Sequence, residues 1–402
     1  MEKVEFATAS GPAAQVRWGA VAAVVGAGVV AALQVGKVII AAPLLRKDMG
    51  LDLASIGTLT AVFSLLGMVG GIAAGGVIAR FGARPMLMLG LAATACGTAA
   101  GALAPGYGEL LATRVLEGLG FLMITVAGPA LLQRIVTGGR RDFAFALWSC
   151  YMPAGMAIAM LASQAFSDWH AYWWCAGIAA GVALVCVALL SPPTPGGGRL
   201  SWRGLRQDTA DTLGAAGPAL LALSFTLYSV MFFALFTFLP VLLMEALGLT
   251  LAAAGLYSAL ASAANVIGNL GAGVLLARGW RRSTLIACAS AAMAAVALLI
   301  FGSALPAMST FLLCVLFSAV GGLIPATLLG TAPLVAPRPA LGAASVGLVM
   351  QGSNLGQVIG PVAVGGAIDR FGWTSASFIV AAAGLAGVAI AWRLRRVDGA
   401  RL

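Results

Sequence analysis

The chain has 402 residues, 61% of them apolar and only 9% charged, with a formal net charge of +10. A water-soluble globule carries charge on about 25% of its residues, so this composition excludes one and identifies a membrane protein. Basic loops facing anionic lipid account for the positive balance, and no nucleic-acid partner is needed.

Apolar stretches of about 20 residues recur from end to end, each long enough to cross a hydrocarbon core of about 30 Å. In chain order the predicted spans are 18–44, 54–79, 85–104, 109–135, 143–166 and 171–191, then 218–245, 251–277, 283–304, 309–335, 342–367 and 374–394. Lipid supplies no partners for backbone N–H and C=O groups, and the alternation of a barrel strand is absent, so these spans are read as helices. The fold class is all-α, with twelve transmembrane helices. Between the sixth and seventh spans lies the longest polar interruption, rich in Pro, Gly and Arg. It divides the chain into an N-terminal bundle (1–191), a linker (192–216) and a C-terminal bundle (217–402).

Orientation follows from the basic residues. With both ends inside, the inner loops and tails hold 18 of the 23 Lys and Arg, and the outer loops hold Arg46, Lys47 and Arg370. This matches the positive-inside rule and places both termini in the cytoplasm, at the cytoplasmic membrane. No cleavable signal peptide is visible, because the first apolar run is too long and lacks a small-residue cleavage site. The six cysteines fall within or at the edges of spans without zinc-like spacing, and are read as packing residues.

The two sets of six spans echo each other. "GGVIARFGAR" closes the second span and "GAGVLLARGWRR" the eighth, aligning Gly75, Arg80 and Arg84 with Gly273, Arg278 and Arg282. "SDWHAYWW" after the fifth span answers "IDRFGWTSASF" after the eleventh. Equivalent signals in two halves mark a duplicated transporter fold with two pseudo-symmetric six-helix bundles.

At these residues the chain resembles the major facilitator superfamily. That family's loop between helices 2 and 3 reads G-x-x-x-D-R-x-G-R-K, and Gly75, Arg80, Gly82 and Arg84 match it, while the acidic position is Ala79. The resemblance implies a conformational gating role for Gly75, Arg80, Gly82, Arg84 and the repeat position Arg278. "RVLEGLGF" is similar to the family's helix 4 signature, with Arg114, Glu117 and Gly118 in place. The exporter signature of helix 5 is absent from "LWSCYMPAGMAIAM", which argues for import. The runs "EGLGFLMITVAGPAL" and "QGSNLGQVIGP" resemble the cyanate permease branch, whose substrates are small anions or polar solutes.

Three charges lie well inside spans: Lys37, Arg114 and Glu117. Each costs at least about 2.5–3.5 kcal/mol in a membrane, so each must face protein or a water-filled cavity. All three share one layer, about 10 Å below the outer ends of helices 1 and 4. Gln34 and Lys37 are three residues apart, as are Arg114 and Glu117, so each pair shares a helix side. In the superfamily fold helices 1 and 4 line the central cavity. On that basis Lys37, with Gln34 and Arg114, is expected to bind an anionic substrate, and Glu117 to carry the coupling proton. The competing expectation is that Arg114 and Glu117 satisfy only each other.

The C-terminal half offers uncharged candidates for substrate contact: Asn354 on helix 11, Asn265 on helix 8 and Tyr228 on helix 7, beside Tyr151 on helix 5. Amides serve equally as glue between membrane helices. Met152, Met156 and Met160 form a row that packs a helix face or conducts Cu(I). His170, the only histidine, falls in an outer loop.

The expectation is therefore a secondary transporter importing a small organic or inorganic anion with a proton, acting as a monomer without cofactor or resident metal. An exporter of toxic compounds and a copper importer are the alternatives. A membrane enzyme is disfavoured, since no nucleophile with a base, nucleotide loop or extramembrane domain is found.

Overall fold

A computed structural model describes residues 17–163, 166, 168–194, 202–302 and 305–397. Lys3, Arg199 and Arg401 of the inner tails and linker lie outside the described residues, as do the side chains of Pro43, Met160 and Glu245. The N-terminal half contains α1 (Trp18–Met49), α2 (Leu53–Phe81), α3 (Ala83–Gly101), α4 (Tyr107–Ile135), α5 (Arg141–Ser149), α6 (Tyr151–Ser163) and α7 (Trp169–Leu190). A helix within the linker, α8 (Trp202–Gly214), follows. The C-terminal half contains α9 (Ala216–Leu247), α10 (Leu251–Ala263), α11 (Asn265–Ala277), α12 (Arg282–Gly302), α13 (Ala307–Gly321), α14 (Leu323–Thr331), α15 (Gly342–Phe371) and α16 (Thr374–Val397).

Three spans are broken at mid-depth, dividing the fifth into α5 and α6, the eighth into α10 and α11, and the tenth into α13 and α14. Pro153 and Pro325 explain two of the breaks. Each sits in the first turn of the second segment, where a missing N–H costs nothing, and neither can bond the carbonyl four residues back. The break at Ala264 has no proline; there the backbone of Gly322 abuts Asn265, leaving no room for a Cβ.

Among the described residues nine helices are long and apolar enough to cross a membrane on those criteria alone. The third, fifth and eleventh rods are the others, and the eleventh, α15, carries Gln351, Asn354 and Gln357 in its middle. Those amides are accommodated because α15 packs along both α2 and α9.

The duplication extends to the helix ends. The first rod of each half, α1 and α9, has 32 residues and closes on a left-handed glycine, Gly50 at φ 67° and Gly248 at φ 61°. Two residues on, Asp52 caps α2 through the Ser55 N–H, and Thr250 caps α10 through the Ala253 N–H. Glycine at each turn avoids the Cβ clash of that conformation. The Ser55 hydrogen bonds also hold the exposed Asp52 carboxyl below its usual range.

The end of the bundle carrying residues 17 and 397, helix α8 and the α2–α3 turn is here termed basal, and the opposite end apical. Contacts between the halves follow two seams: α2 and α4 against α15, and α5 and α6 against α10, α11 and α14.

Candidate functional site

The three intramembrane charges meet. Lys37 on α1 donates from Nζ to Glu117 Oε1 at 2.9 Å and to Thr98 Oγ1 on α3 at 3.2 Å. Arg114, one turn before Glu117 on α4, donates to the other carboxylate oxygen through Nη1, and through Nε to the Leu59 carbonyl of α2 at 3.2 Å. Thr98 in turn donates its hydroxyl hydrogen bond to Gln34 Oε1, and Gln34 Nε2 donates to the Ala176 carbonyl of α7. Gln34, Lys37, Arg114 and Glu117 are each 0% exposed. Aromatic faces cover the cations, with Phe63 4.0 Å from Arg114 and Trp173 4.6 Å from Lys37. Gly97 of α3 makes room, since a Cβ there would stand 2.9 Å from Glu117 Cγ.

Every partner in this cluster belongs to α1, α2, α3, α4 or α7, all of the N-terminal half. The sequence placed Lys37 beside substrate in the path between the halves, but its ammonium is closed inside one half against Thr98 and Trp173. The reason is local. A charge inside a membrane protein pairs with a partner or faces water, and Glu117 sits on the neighbouring helix at the same depth. With all three groups ionised the cluster carries one net positive charge, and loss of one proton makes it neutral.

The uncharged candidates separate into three places. Tyr228 and Asn265 join each other inside the C-terminal half, where Asn265 Nδ2 donates to the Tyr228 hydroxyl at 3.1 Å and to the Ser318 carbonyl at 3.0 Å. Asn269 adds to this knot by donating to Asn265 Oδ1 at 2.7 Å. Tyr151 packs against Trp148 with ring centroids 5.0 Å apart, beside Gly28 of α1. Asn354 lies on the seam between the halves, donating within its own helix to Met350 O while its amide fills the space left by Gly67 of α2. Met156 of the methionine row packs its sulfur against Gly36. His170 sits on the first turn of α7 rather than in a loop, its Nε2 3.6 Å from Asp48.

The two seams are built alike. Gly67, Gly71 and Gly75 lie one turn apart on α2, and their missing side chains admit Asn354, Gly347 and the Ala343–Ala344 backbone of α15. Gly273, the repeat of Gly75, admits Ala146 and Phe143 of α5. Amides stitch the first seam: Gln351 donates to the Met68 carbonyl at 2.7 Å and accepts from the Ile72 N–H, and Ser64 donates to Gln357. An ion pair between Arg282 and Asp142 at 2.7 Å closes the second.

Of the loop residues expected to gate, Arg80 reaches Asp208 of α8 at 3.0 Å. Arg338, from the loop before α15, pairs with the same Asp208 at 3.3 Å and with Asp211 at 2.6 Å. One carboxylate of the linker helix thus touches both halves. Arg84 instead ties its own half together, donating to Ala188 O at 2.6 Å. Gly82 turns at φ 95° against the Thr194 carbonyl, a conformation that favours glycine. Arg278 is exposed, and Arg282 is the arginine of that loop that crosses the seam.

Sequence reasoning missed Thr98, Asp142 and Asp208. Thr98 gives no signal of its own, being one small polar residue in an apolar span. Asp142 lies at the start of the fifth span and Asp208 in the linker, where an acid carries no signal of its own. The three-to-four spacing of Trp202, Leu205, Thr209 and Leu213 could have identified α8 as an amphipathic helix.

The family model described as Major Facilitator Superfamily matches residues 24–346. The puromycin resistance protein of Streptomyces alboniger is 29% identical over 53% of this chain and 42% of its own length. A probable 4-methylmuconolactone transporter of Cupriavidus pinatubonensis is 30% identical over 32% of this chain and 30% of its own length. The matched stretch therefore spans less than half of either relative. The crystal structure of the human organic anion transporter MFSD10 (TETRAN) superposes with a TM-score of 0.76 at 16% identity, covering 94% of this chain and 100% of that one. The narrower likeness to cyanate permeases finds no support in these relatives.

Proposed function

The chain belongs to the Major Facilitator Superfamily, a family of multi-pass membrane transporters, and from that premise we propose that it is a proton-coupled carrier of a small organic solute. The observation that carries this reading is the fully buried Lys37–Glu117–Arg114 cluster inside one half. A titratable network held apart from the inter-half path can take up or release a proton as the halves rock. The solute path is left to amide and aromatic groups, and no described charged residue lies deep in a C-terminal span.

This reading moves the earlier expectation away from an anion gripped by Lys37, whose ammonium is engaged by Glu117. The relatives named for puromycin resistance and for 4-methylmuconolactone support a small organic solute. The helix 5 sequence, which lacks the exporter signature, favours import, with solute and proton moving together. In this proposal the seams at Gly75 and Gly273 close the basal side, assigned to the cytoplasm by its basic residues, and Arg80 joins that closure through Asp208.

Proteoliposomes loaded with a pH-sensitive dye and challenged with a panel of labelled lactones, carboxylates and resistance compounds test the proposal. A transported solute should drive proton movement in the wild type. Glu117→Gln should exchange that solute without moving protons. Undiminished proton movement in the variant would remove Glu117 from the coupling route.

A further inference from the structure

We propose that the basal end of α16, with the start of α9, forms a binding site for an anionic glycerophospholipid. Cavities of about 370 and 440 Å³ flank the last turns of α16, and Arg393 and Arg396 line both. The walls below them are apolar: Leu220 and Leu223 on α9, Leu385 and Val388 on α16. From Arg396 down to Leu385 is eleven residues, about 16 Å along a helix, close to the half-thickness of about 15 Å that one acyl chain fills. The apolar face of α16 therefore has the length of one leaflet, and the groove between α16 and α9 opens beside it, with the arginines at the headgroup end of both.

The chemistry of the mouth selects the headgroup. Among the described residues neither arginine enters an ion pair; the next acid in sequence, Asp398, lies outside them. Arg396 stands 5.8 Å from the ring of Trp392, which is 62% exposed. An exposed tryptophan at the membrane interface beside paired guanidinium groups suits a phosphodiester, which arginine can grip with two hydrogen bonds.

The duplication itself indicates that this feature is not an accident of the fold. The equivalent helix, α7, stops at Leu190, while α16 continues through Trp392 to Val397. At 24 residues against 22, α16 carries Arg395 and Arg396 in its last turn, whereas α7 carries no basic residue there.

Full-length protein exchanged into nanodiscs of phosphatidylcholine with a minor fraction of phosphatidylglycerol tests the site, with retained lipid counted by native mass spectrometry. The wild type should retain phosphatidylglycerol in excess, and Arg393→Gln with Arg396→Gln should cut that excess at least about tenfold. Ala219→Phe, which fills the groove and keeps both arginines, should lower it too. Arg278→Gln with Arg281→Gln, exposed basal arginines outside the groove, should not. A thermal scan of each variant confirms folding. Equal retention of the two lipids, an undiminished excess in the Arg393/Arg396 or Ala219 variant, or the same loss in the Arg278/Arg281 variant would overturn the proposal.

Discussion

A lysine in the middle of a membrane helix is stable only where its ammonium meets a partner, and Lys37 meets Glu117 at 2.9 Å with no exposure on either side. The arithmetic of the cluster makes its members unequal. Replacing Glu117 by Gln strands two buried cations, whereas replacing Lys37 by Met leaves one arginine against one carboxylate. Breaking a buried pair costs about 3–5 kcal/mol, so Glu117→Gln should lower thermal stability in detergent much more than Lys37→Met. A larger loss in Lys37→Met would contradict the assignment of charges. The sequence showed that three charges share a layer, because spacing along a helix fixes depth. It could not show which way Lys37 points. Apart from Gln34 one turn before it, the helix around it is apolar, so polarity does not tell a face turned to the path from one turned into its own half, and Thr98 and Trp173 come from distant spans.

Each half is a set of rods, and the seams between the halves rest on absent side chains. Any side chain at Gly71 would meet the Gly347 backbone, so Gly71→Val should hold the basal seam apart. The measurement is the labelling rate of a cysteine placed at Ala344, which is buried against Gly75 in the closed seam; faster labelling is expected, and an unchanged rate would show that the seam tolerates the bulk. The Asp142–Arg282 pair is mostly buried and charge-assisted, worth about 1.5–3 kcal/mol, so reversing both charges should restore closure that either single change loses. Asp208 is more exposed, with Arg338 53% exposed. Each of its pairs is worth about 0–1 kcal/mol, and Asp208→Asn should loosen the basal side only modestly in the same labelling assay. The spans were legible in the sequence to within a few residues, since apolar length is what lipid demands. The breaks at Cys150, Ala264 and Gly322 were not, because a helix interrupted at mid-depth keeps the same hydropathy, and prolines such as Pro129, Pro240 and Pro361 sit in helices that continue unbroken.

At the scale of the whole molecule, two copies of one six-rod plan have acquired different chemistry. The N-terminal copy holds the buried charges, and the C-terminal copy holds an amide and tyrosine knot around Asn265. Alternating access needs the two to rock as bodies, and in the proposed function one half handles the proton while the uncharged groups meet the solute. With the basal end inside, a tag placed after Leu402 should resist protease in intact cells and yield in inside-out vesicles; the reverse would invert the orientation. The most direct test of the account is the affinity of Lys37→Met for a transported solute, measured by counterflow, where no gradient drives the exchange. The account predicts affinity within about twofold of wild type, together with lost accumulation under a pH gradient, because the ammonium belongs to the proton cluster. A loss of affinity beyond about tenfold, the size of a charge-assisted contact, would return Lys37 to the solute path and contradict the account.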